Sequence, residues 1–523
     1  MNAKKHLEKA IALKPEYAEA YFELGMLLKE EGEIKESVEN FKKAVNIKSD
    51  FAEAQCELAI ALTSEGEHEG ARNHFLNALE INPNFAHAYF HYAILLIEIN
   101  DIEEAKNNFD KVTEINQNFA PAYYYKATLL TNADDYEEAR KNYETALDID
   151  SNYLKAHYSM GKLLSGGVAT DKEGSIIDRT NLPDAKFHFS KVLKLNKDHS
   201  KAHYNLARIL CIENNFALAK THLQKALKIN QDYSKAHYLI AHVYEETNDI
   251  EKAQEHYSLS IQFYSENALS YFRLGVILSN IEENKRAEEN LKKAVSIDPQ
   301  HAEAQFYLAM LLRDDDDPSL AKKHFFKALE INPEYALAYY ELAHHSEKNG
   351  DLNEAKIHFQ KATDINQNFV DAYFNLARIL TSPSEHDQAI RNYETALEIN
   401  PEMAICHYWF AKILTTGTRL TNDGTLLNEP NIKKAEEHFR RAIEIDPSFS
   451  KAYYKLGLLL KNQKQYCLAL ENFEIAIKLN PSFAQAHYSL AVLLMDKDAT
   501  VALEKHIKKD KIKTVRKTKK KSS

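Results

Sequence analysis

The chain has 523 residues, 44% of them hydrophobic, with 66 Lys and Arg against 77 Asp and Glu for a formal net charge of −11. Length alone would suggest three or four domains, and the acidic balance argues against nucleic acid as the main ligand. No apolar run is long enough to span a bilayer, and no signal-peptide pattern opens the chain, where Lys4, Lys5 and His6 lead straight into a helix. Four dispersed cysteines, Cys56, Cys211, Cys406 and Cys467, form no Cys-x-x-Cys pair, which predicts free thiols and an intracellular, cytoplasmic setting.

The first predicted element is a lone helix over Ala3 to Leu13. Its Leu7, Ala10 and Ile11 lack a preceding neighbour, so either this end packs against another copy or the chain is a fragment. From there the sequence repeats every 34 residues: Phe41, Phe75 and Phe109 recur at that spacing, as do Leu24 and Leu58, Gly25 and Ala59, Pro299 and Pro333. A period of this length signals stacked helix pairs. In the unit from Ala52 to Pro83, Leu58, Ala59 and Leu62 share one face of a first helix, and Ala71, Phe75, Ala78 and Leu79 share one face of a second. Gly66 and Glu67 mark the turn between them, and Asn82-Pro83 ends the second helix. Small residues at Gly25, Ala59, Ala93, Ala127 and Gly161 mark where the two helices approach closely.

A longer repeat lies over the short one. A shift of 250 residues lays Asn142-Tyr143-Glu144-Thr145-Ala146-Leu147 on Asn392-Tyr393-Glu394-Thr395-Ala396-Leu397. Each block carries one insertion between the helices of a unit, at 165–181 and at 415–431. Val168-Ala169-Thr170 with Ser175-Ile176-Ile177, and Arg419-Leu420-Thr421 with Thr425-Leu426-Leu427, flank turns closed by Gly174 and Gly424, so both insertions are predicted to be short β-hairpins. Ile176 and Ile177 would then pack on a neighbouring helix or a partner.

Tyr453, Leu456, Gly457, Ala469, Phe473, Ala476 and Pro481 fit in full the pattern of the tetratricopeptide repeat family, which the chain resembles over nearly its whole length. Tyr271, Leu274, Gly275, Ala287, Ala294 and Pro299 fit it with Leu291 in place of the second aromatic. The resemblance implies an all-α, right-handed superhelical solenoid of about fourteen helix pairs, with the two hairpins as insertions. The expected organisation is one continuous solenoid over 1–503, in two seven-repeat blocks of about 1–250 and 251–500, followed by a basic tail over 504–523 that is expected to be disordered. That tail holds ten basic against two acidic residues, a net of +8, which leaves the preceding body at −19. Nuclear targeting, nucleic-acid contact and docking on an acidic surface are the functional readings of the tail.

The resemblance also implies that first helices line a concave groove. The groove register carries an aromatic stripe, including Phe22, Phe90, Tyr124, Tyr158, Tyr204, Tyr238, Phe272, Phe306, Tyr340, Phe374, Tyr408, Tyr454 and Tyr488, for which packing is the simpler role. Basic groove positions cluster in consecutive units: Lys155 and Lys162, then Lys201 and Arg208, then Lys235 and His242. Arg378, Lys412, Lys451 and Lys455 partly echo them in the second block. A wall of one sign steers an oppositely charged segment. The expected peptide or partner site is therefore Lys155, Tyr158, Lys162, Lys201, Tyr204, Arg208, Lys235, Tyr238 and His242, binding an extended, acidic peptide or another protein.

One place before the second-helix aromatic stands a ladder of Asn or His: Asn40, His74, Asn108, Asn142, His188, His222, His256, Asn290, His324, His358, Asn392, His438 and Asn472. Residues that recur on successive units do not converge on a metal, so hydrogen bonding between packed helices is expected. His87 and His91 share a helix face without a third ligand and read as surface polar residues. No phosphate loop, zinc-protease helix or nucleophile elbow is present, and the acidic run Asp314 to Asp317 reads as a turn. No cofactor and no enzymatic activity are expected. The alternative is a regulatory or substrate-recruiting arm of a separate enzyme complex.

Overall fold

The computed structural model describes residues 2–130, 135–166, 168–170, 176–178, 180–313, 318–416, 418–419, 426–428, 430–496 and 498–501. The chain divides into two compact units, Met1–Ser265 and Glu266–Ser523.

The first unit opens with α1 (Asn2–Leu13) and continues as seven helix pairs: α2 and α3 (Ala18–Glu31, Ile34–Ile47), α4 and α5 (Ala52–Ser64, His68–Ile81), α6 and α7 (Ala86–Glu98, Ile102–Ile115), α8 and α9 (Ala120–Leu129, Tyr136–Ile149), α10 and α11 (Leu154–Ser165, Leu182–Leu195), α12 and α13 (Ser200–Ile212, Phe216–Ile229), and α14 and α15 (Ser234–Glu246, Ile250–Phe263). The second unit holds six pairs and a last first helix: α16 and α17 (Ala268–Asn280, Asn284–Ile297), α18 and α19 (Ala302–Leu312, Pro318–Ile331), α20 and α21 (Ala336–Lys348, Leu352–Ile365), α22 and α23 (Val370–Ile379, His386–Ile399), α24 and α25 (Ala404–Leu414, Ile432–Ile445), α26 and α27 (Ser450–Asn462, Tyr466–Leu479), and α28 (Ala484–Met495).

Each pair is held by a large residue of the second helix set against a small one of the first. A Cβ added to Gly25 would lie 2.6 Å from Phe41, at Gly161 2.9 Å from Phe189, at Gly275 2.7 Å from Leu291 and at Gly457 2.7 Å from Phe473. Phe41, Phe75, Phe109, Phe189 and Phe473 are fully buried. The turn inside a pair uses one left-handed residue, at Gly32 (φ 82°), Gly66 (φ 80°) and Gly350 (φ 84°), with Asn100, Asn214 and Asn248 in the same role. The backbone N–H of Gly32 bonds back to the carbonyls of Leu28 and Lys29, closing the end of α2.

The fold-class expectation is corrected in one respect. Fourteen first helices follow the lone α1, in line with the expected count, and thirteen of them have their second helix among the described residues. Among the described residues the insertions do not add hairpins as elements of the architecture, which is otherwise helical. Backbone bridges there join Val168–Thr170 to Ile176–Asp178 and Thr418–Arg419 to Leu426–Asn428, the latter offset from the expected strands. Ladders of two or three residues bury too little to stand as a layer. The expected turns at Gly174 and Gly424, the side chains of Ile176 and Ile177, the run Asp314 to Asp317 and the tail 504–523 lie outside the described residues.

Candidate functional site

Within the first unit, α10, α12 and α14 touch in series, and these three helices carry the expected site residues. Lys155, Lys162, Lys201 and Lys235 are exposed there, and Tyr158, Tyr204, Arg208, Tyr238 and His242 are half-buried. Among the described residues, none of the four lysines has a carboxylate partner. Lys155, Lys201 and Lys235 occupy the same position, second in α10, α12 and α14, so they repeat with the helix stacking.

The tyrosines do structural duty. The Tyr158 ring lies 4.9 Å from His199, just before α12, and that of Tyr204 lies 5.1 Å from Tyr233, just before α14. Tyr238 packs on Tyr257 at 5.7 Å. The same contact with the residue leading into the next first helix recurs as Phe22 on Phe51, Phe90 on Phe119, Tyr340 on Phe369 and Tyr454 on Phe483, at 5.0, 5.0, 4.8 and 4.9 Å. The aromatic stripe is thus the seam between successive pairs. Burial raises the phenol pKa of Tyr158 and Tyr204, which keeps both protonated and able to donate. Asn205 donates to the Tyr158 hydroxyl at 3.3 Å.

Two expected site residues are already engaged. Arg208 donates to the Ser165 carbonyl at 3.2 Å and to its hydroxyl at 3.1 Å, so its charge neutralises the carboxyl end of α10. His242 lies 3.7 Å from Glu246 one turn on.

The polar ladder divides by residue type, apart from Asn392, whose buried Nδ2 has no hydrogen-bond partner among the described residues. Asn40, Asn108, Asn142, Asn290 and Asn472 each donate to the carbonyl four residues back in their own helix, at 2.8 Å. The histidines instead bridge to the first helix of their pair. His188 meets His157, His222 meets His203, His256 meets His237 and His438 meets His407 through facing Nδ1 atoms at 2.8, 2.9, 2.9 and 2.7 Å. His74 meets Gln55 and His324 meets Gln305, at 2.6 and 2.7 Å. The first-helix partners escaped sequence reasoning, although their positions just before the groove register are regular. His358 differs, because Tyr339 stands at the partner position and stacks on it at 5.9 Å. Neither ring nitrogen of His358 has a hydrogen bond.

His87 and His91 are not simply surface residues. His87 lies 3.7 Å from Glu57, which also pairs with Lys29. His91 is half-buried, and burial first, with the neighbouring His87, pushes its pKa down to about 4. No group of three or more metal-capable side chains occurs among the described residues. All four cysteines are free thiols, and burial pushes Cys406 up to about 12 and Cys211 to about 11, which keeps these two protonated at neutral pH. Among the described residues no helix is long and apolar enough to cross a membrane.

Stacked pairs of amphipathic helices, joined by left-handed turns and presenting a polar wall of first helices, define a helical-repeat interaction scaffold. The chain belongs to the tetratricopeptide repeat family. Tetratricopeptide repeat profiles match residues 18–51, 62–130, 200–233, 234–267, 268–301, 336–369, 370–403 and 438–471, and a TPR repeat profile matches 129–165. Similar solved structures include YrrB, described as a TPR protein with an unusual peptide-binding site, at 25% identity over 35% of this chain and 95% of that one, with a TM-score of 0.32. The APC/C hetero-tetramer Cut9-Hcn1 aligns at 16% identity over 93% of this chain and 97% of that one (TM-score 0.38), and yeast Tom70 at 17% over 96% and 99% (TM-score 0.32). No curated protein matches the chain.

Proposed function

We propose that this scaffold binds an extended, acidic peptide, free or within a partner protein, along the wall of α10, α12 and α14. The observation that carries the reading is the triplet Lys155, Lys201 and Lys235: three exposed ammonium groups at one helical position in successive pairs, without carboxylate partners among the described residues. Lys162 extends the wall, and the edges of Tyr158, Tyr204 and Tyr238 offer hydroxyls to a peptide backbone. Each charge-assisted contact would contribute about 1.5–3 kcal/mol where the ligand excludes water, and less at the rim.

The test is fluorescence anisotropy of a labelled Asp- and Glu-rich peptide. Changing Lys155, Lys201 and Lys235 together to Glu is expected to weaken binding at least tenfold and to reduce its salt dependence. An unchanged affinity in a triple variant that retains its helical circular dichroism would defeat the reading.

A further inference from the structure

In the second unit, α19, α20 and α21 enclose a cleft of about 410 Å³ lined by Phe326, Leu329, Tyr339, Ile357 and His358, with the exposed Glu330 and Lys361 at its rim. That volume is in the range of about 300–1,000 Å³ usual for ligand clefts. Leu329 is buried, whereas Phe326 and Ile357 are 44% and 59% exposed. Two large apolar side chains left open beside one cleft offer a contact surface to another molecule.

His358 is 8% exposed, and among the described residues neither of its ring nitrogens has a hydrogen bond. The Phe326 ring stands edge-on to the imidazole at 6.0 Å, and the Tyr339 ring stacks on it at 5.9 Å. Glu354 Oε1 is 3.7 Å from Nε2, too far for a hydrogen bond, and Oε2 of the same carboxylate accepts from Lys322 at 2.7 Å and from Ser346 at 3.0 Å. Burial, which Glu354 opposes, lowers the His358 pKa, so at neutral pH the ring holds one N–H and one lone pair. A buried polar group left unmet costs free energy that a ligand hydroxyl returns. Both nitrogens are covered as the ring stands, and a turn about the Cβ–Cγ bond toward the cleft brings one of them out.

The corresponding place in the first unit lacks these features. The 250-residue offset lays His358 on Asn108, which donates to the Glu104 carbonyl of its own helix, and Ile357 on Asn107. Tyr339 and Leu329 are matched there by Tyr89 and Leu79, and the rim by Glu80 and Lys111. The second block thus has an isoleucine and an unmet imidazole where the first has two asparagines.

We infer that this cleft seats a tyrosine side chain presented by a partner protein, its ring against Phe326, Ile357 and Tyr339 and its hydroxyl on His358. An aromatic ring matches the apolar lining, and the hydroxyl meets the imidazole that a phenylalanine or leucine would leave bare. Glu330 and Lys361 bring one charge of each sign to the rim, which favours an uncharged side chain over a carboxylate or phosphate. This inference does not rest on the reading of the first unit.

The full chain, isotope-labelled at the isoleucine δ1 methyls, is titrated with a blocked peptide of one tyrosine between glycines, and with its phenylalanine and phosphotyrosine analogues. The Ile357 methyl signal, assigned by its loss in Ile357→Val, is expected to shift saturably with the tyrosine peptide, which binds at least fivefold more tightly than either analogue. His358→Asn should abolish the preference for tyrosine over phenylalanine, and Phe326→Gln should weaken both, with helical circular dichroism retained in each variant. The Lys155, Lys201 and Lys235 triple reversal should change neither, which separates the two sites. No saturable shift, equal binding of the phenylalanine peptide, tighter binding of the phosphotyrosine peptide, or an undiminished tyrosine preference in His358→Asn would overturn the inference. A shift of Ile357 that follows protein concentration and ignores all three peptides would assign the cleft to a second copy and overturn it equally.

Discussion

His203 and His222 face each other across the α12–α13 pair through Nδ1 atoms 2.9 Å apart, and the Nε2 of His203 is 3.1 Å from the Lys197 carbonyl. A carbonyl only accepts, so His203 carries its proton on Nε2 and, when neutral, leaves Nδ1 bare. His222 must then donate from Nδ1. The same geometry fixes His157 with His188, His237 with His256 and His407 with His438. One added proton can be accommodated by a tautomer change, but two place N–H against N–H.

Stability should therefore fall on acidification. Burial lowers the pKa of His203 and, with the charge of His203, pushes His222 down to about 4, while Lys225 acts on both in the same direction and Asp198 opposes it at His203. The unfolded imidazoles take protons near pH 6.5, whereas folded His203 is held below that value and folded His222 does not take one until about 4. The contribution is thus fully present above 6.5 and is lost progressively down to about pH 4. Urea unfolding at pH 7.5, 6, 5 and 4.5 should show midpoints dropping through that window. His203→Gln should flatten the dependence with little loss at pH 7.5, because Gln55 already performs both roles, accepting from His74 and donating to the Ser49 carbonyl at 3.2 Å.

The small-to-large seam gives a second prediction. Gly25→Val should cost about 1–3 kcal/mol, since the Phe41 ring already stands where a Cβ would go. Gly25→Ala should cost less, because Ala59 faces Phe75 in the next pair and both are fully buried. Thermal denaturation of the two variants checks the order.

Much of this was legible because the repeat fixes registers. The left-handed turn position follows from Gly66, and the first-helix histidines could have been found by offset: His222 is 19 residues after His203, and His188 is 31 after His157, the difference being the inserted segment. What periodicity could not supply is the state of each charge. Arg378 and Lys412 read alike in sequence, yet one is paired with Glu347, 31 residues earlier, and the other is bare among the described residues. Such pairing depends on which acids neighbouring helices bring within reach. The hairpin expectation for the insertions failed for another reason, since β-prone runs closed by Gly174 and Gly424 suggest a turn but say nothing of whether so short a ladder buries enough to stand as an element.

The turns give a third prediction. Lys464 (φ 63°) and Glu282 (φ 64°) occupy the left-handed position that Gly32, Gly66 and Gly350 fill elsewhere. A side chain there costs about 1–2 kcal/mol, offset in part by the entropy a glycine would lose on folding. Lys464→Gly should raise stability by roughly 0.5–1 kcal/mol and Gly350→Ala should lower it by a similar amount. Urea midpoints measure both.

Arg208 supplies the last prediction, because its position suggests binding while its bonds go to the fold. Its guanidinium closes the end of α10 at Ser165, the residue from which the first insertion departs. Replacing it with Gln should remove a charge-assisted cap at a half-exposed site, at a cost of about 0.5–1.5 kcal/mol. Lys201→Gln, on the exposed side of the same helix, should stay within about 0.5 kcal/mol of the parent. Amide hydrogen exchange separates the two roles: Arg208→Gln should speed exchange in the last turn of α10, around Lys162 to Ser165, and Lys201→Gln should not. If the amides of α10 are equally protected in both variants, the Ser165 contact contributes nothing to the helix end and Arg208 belongs with the lysines of the wall.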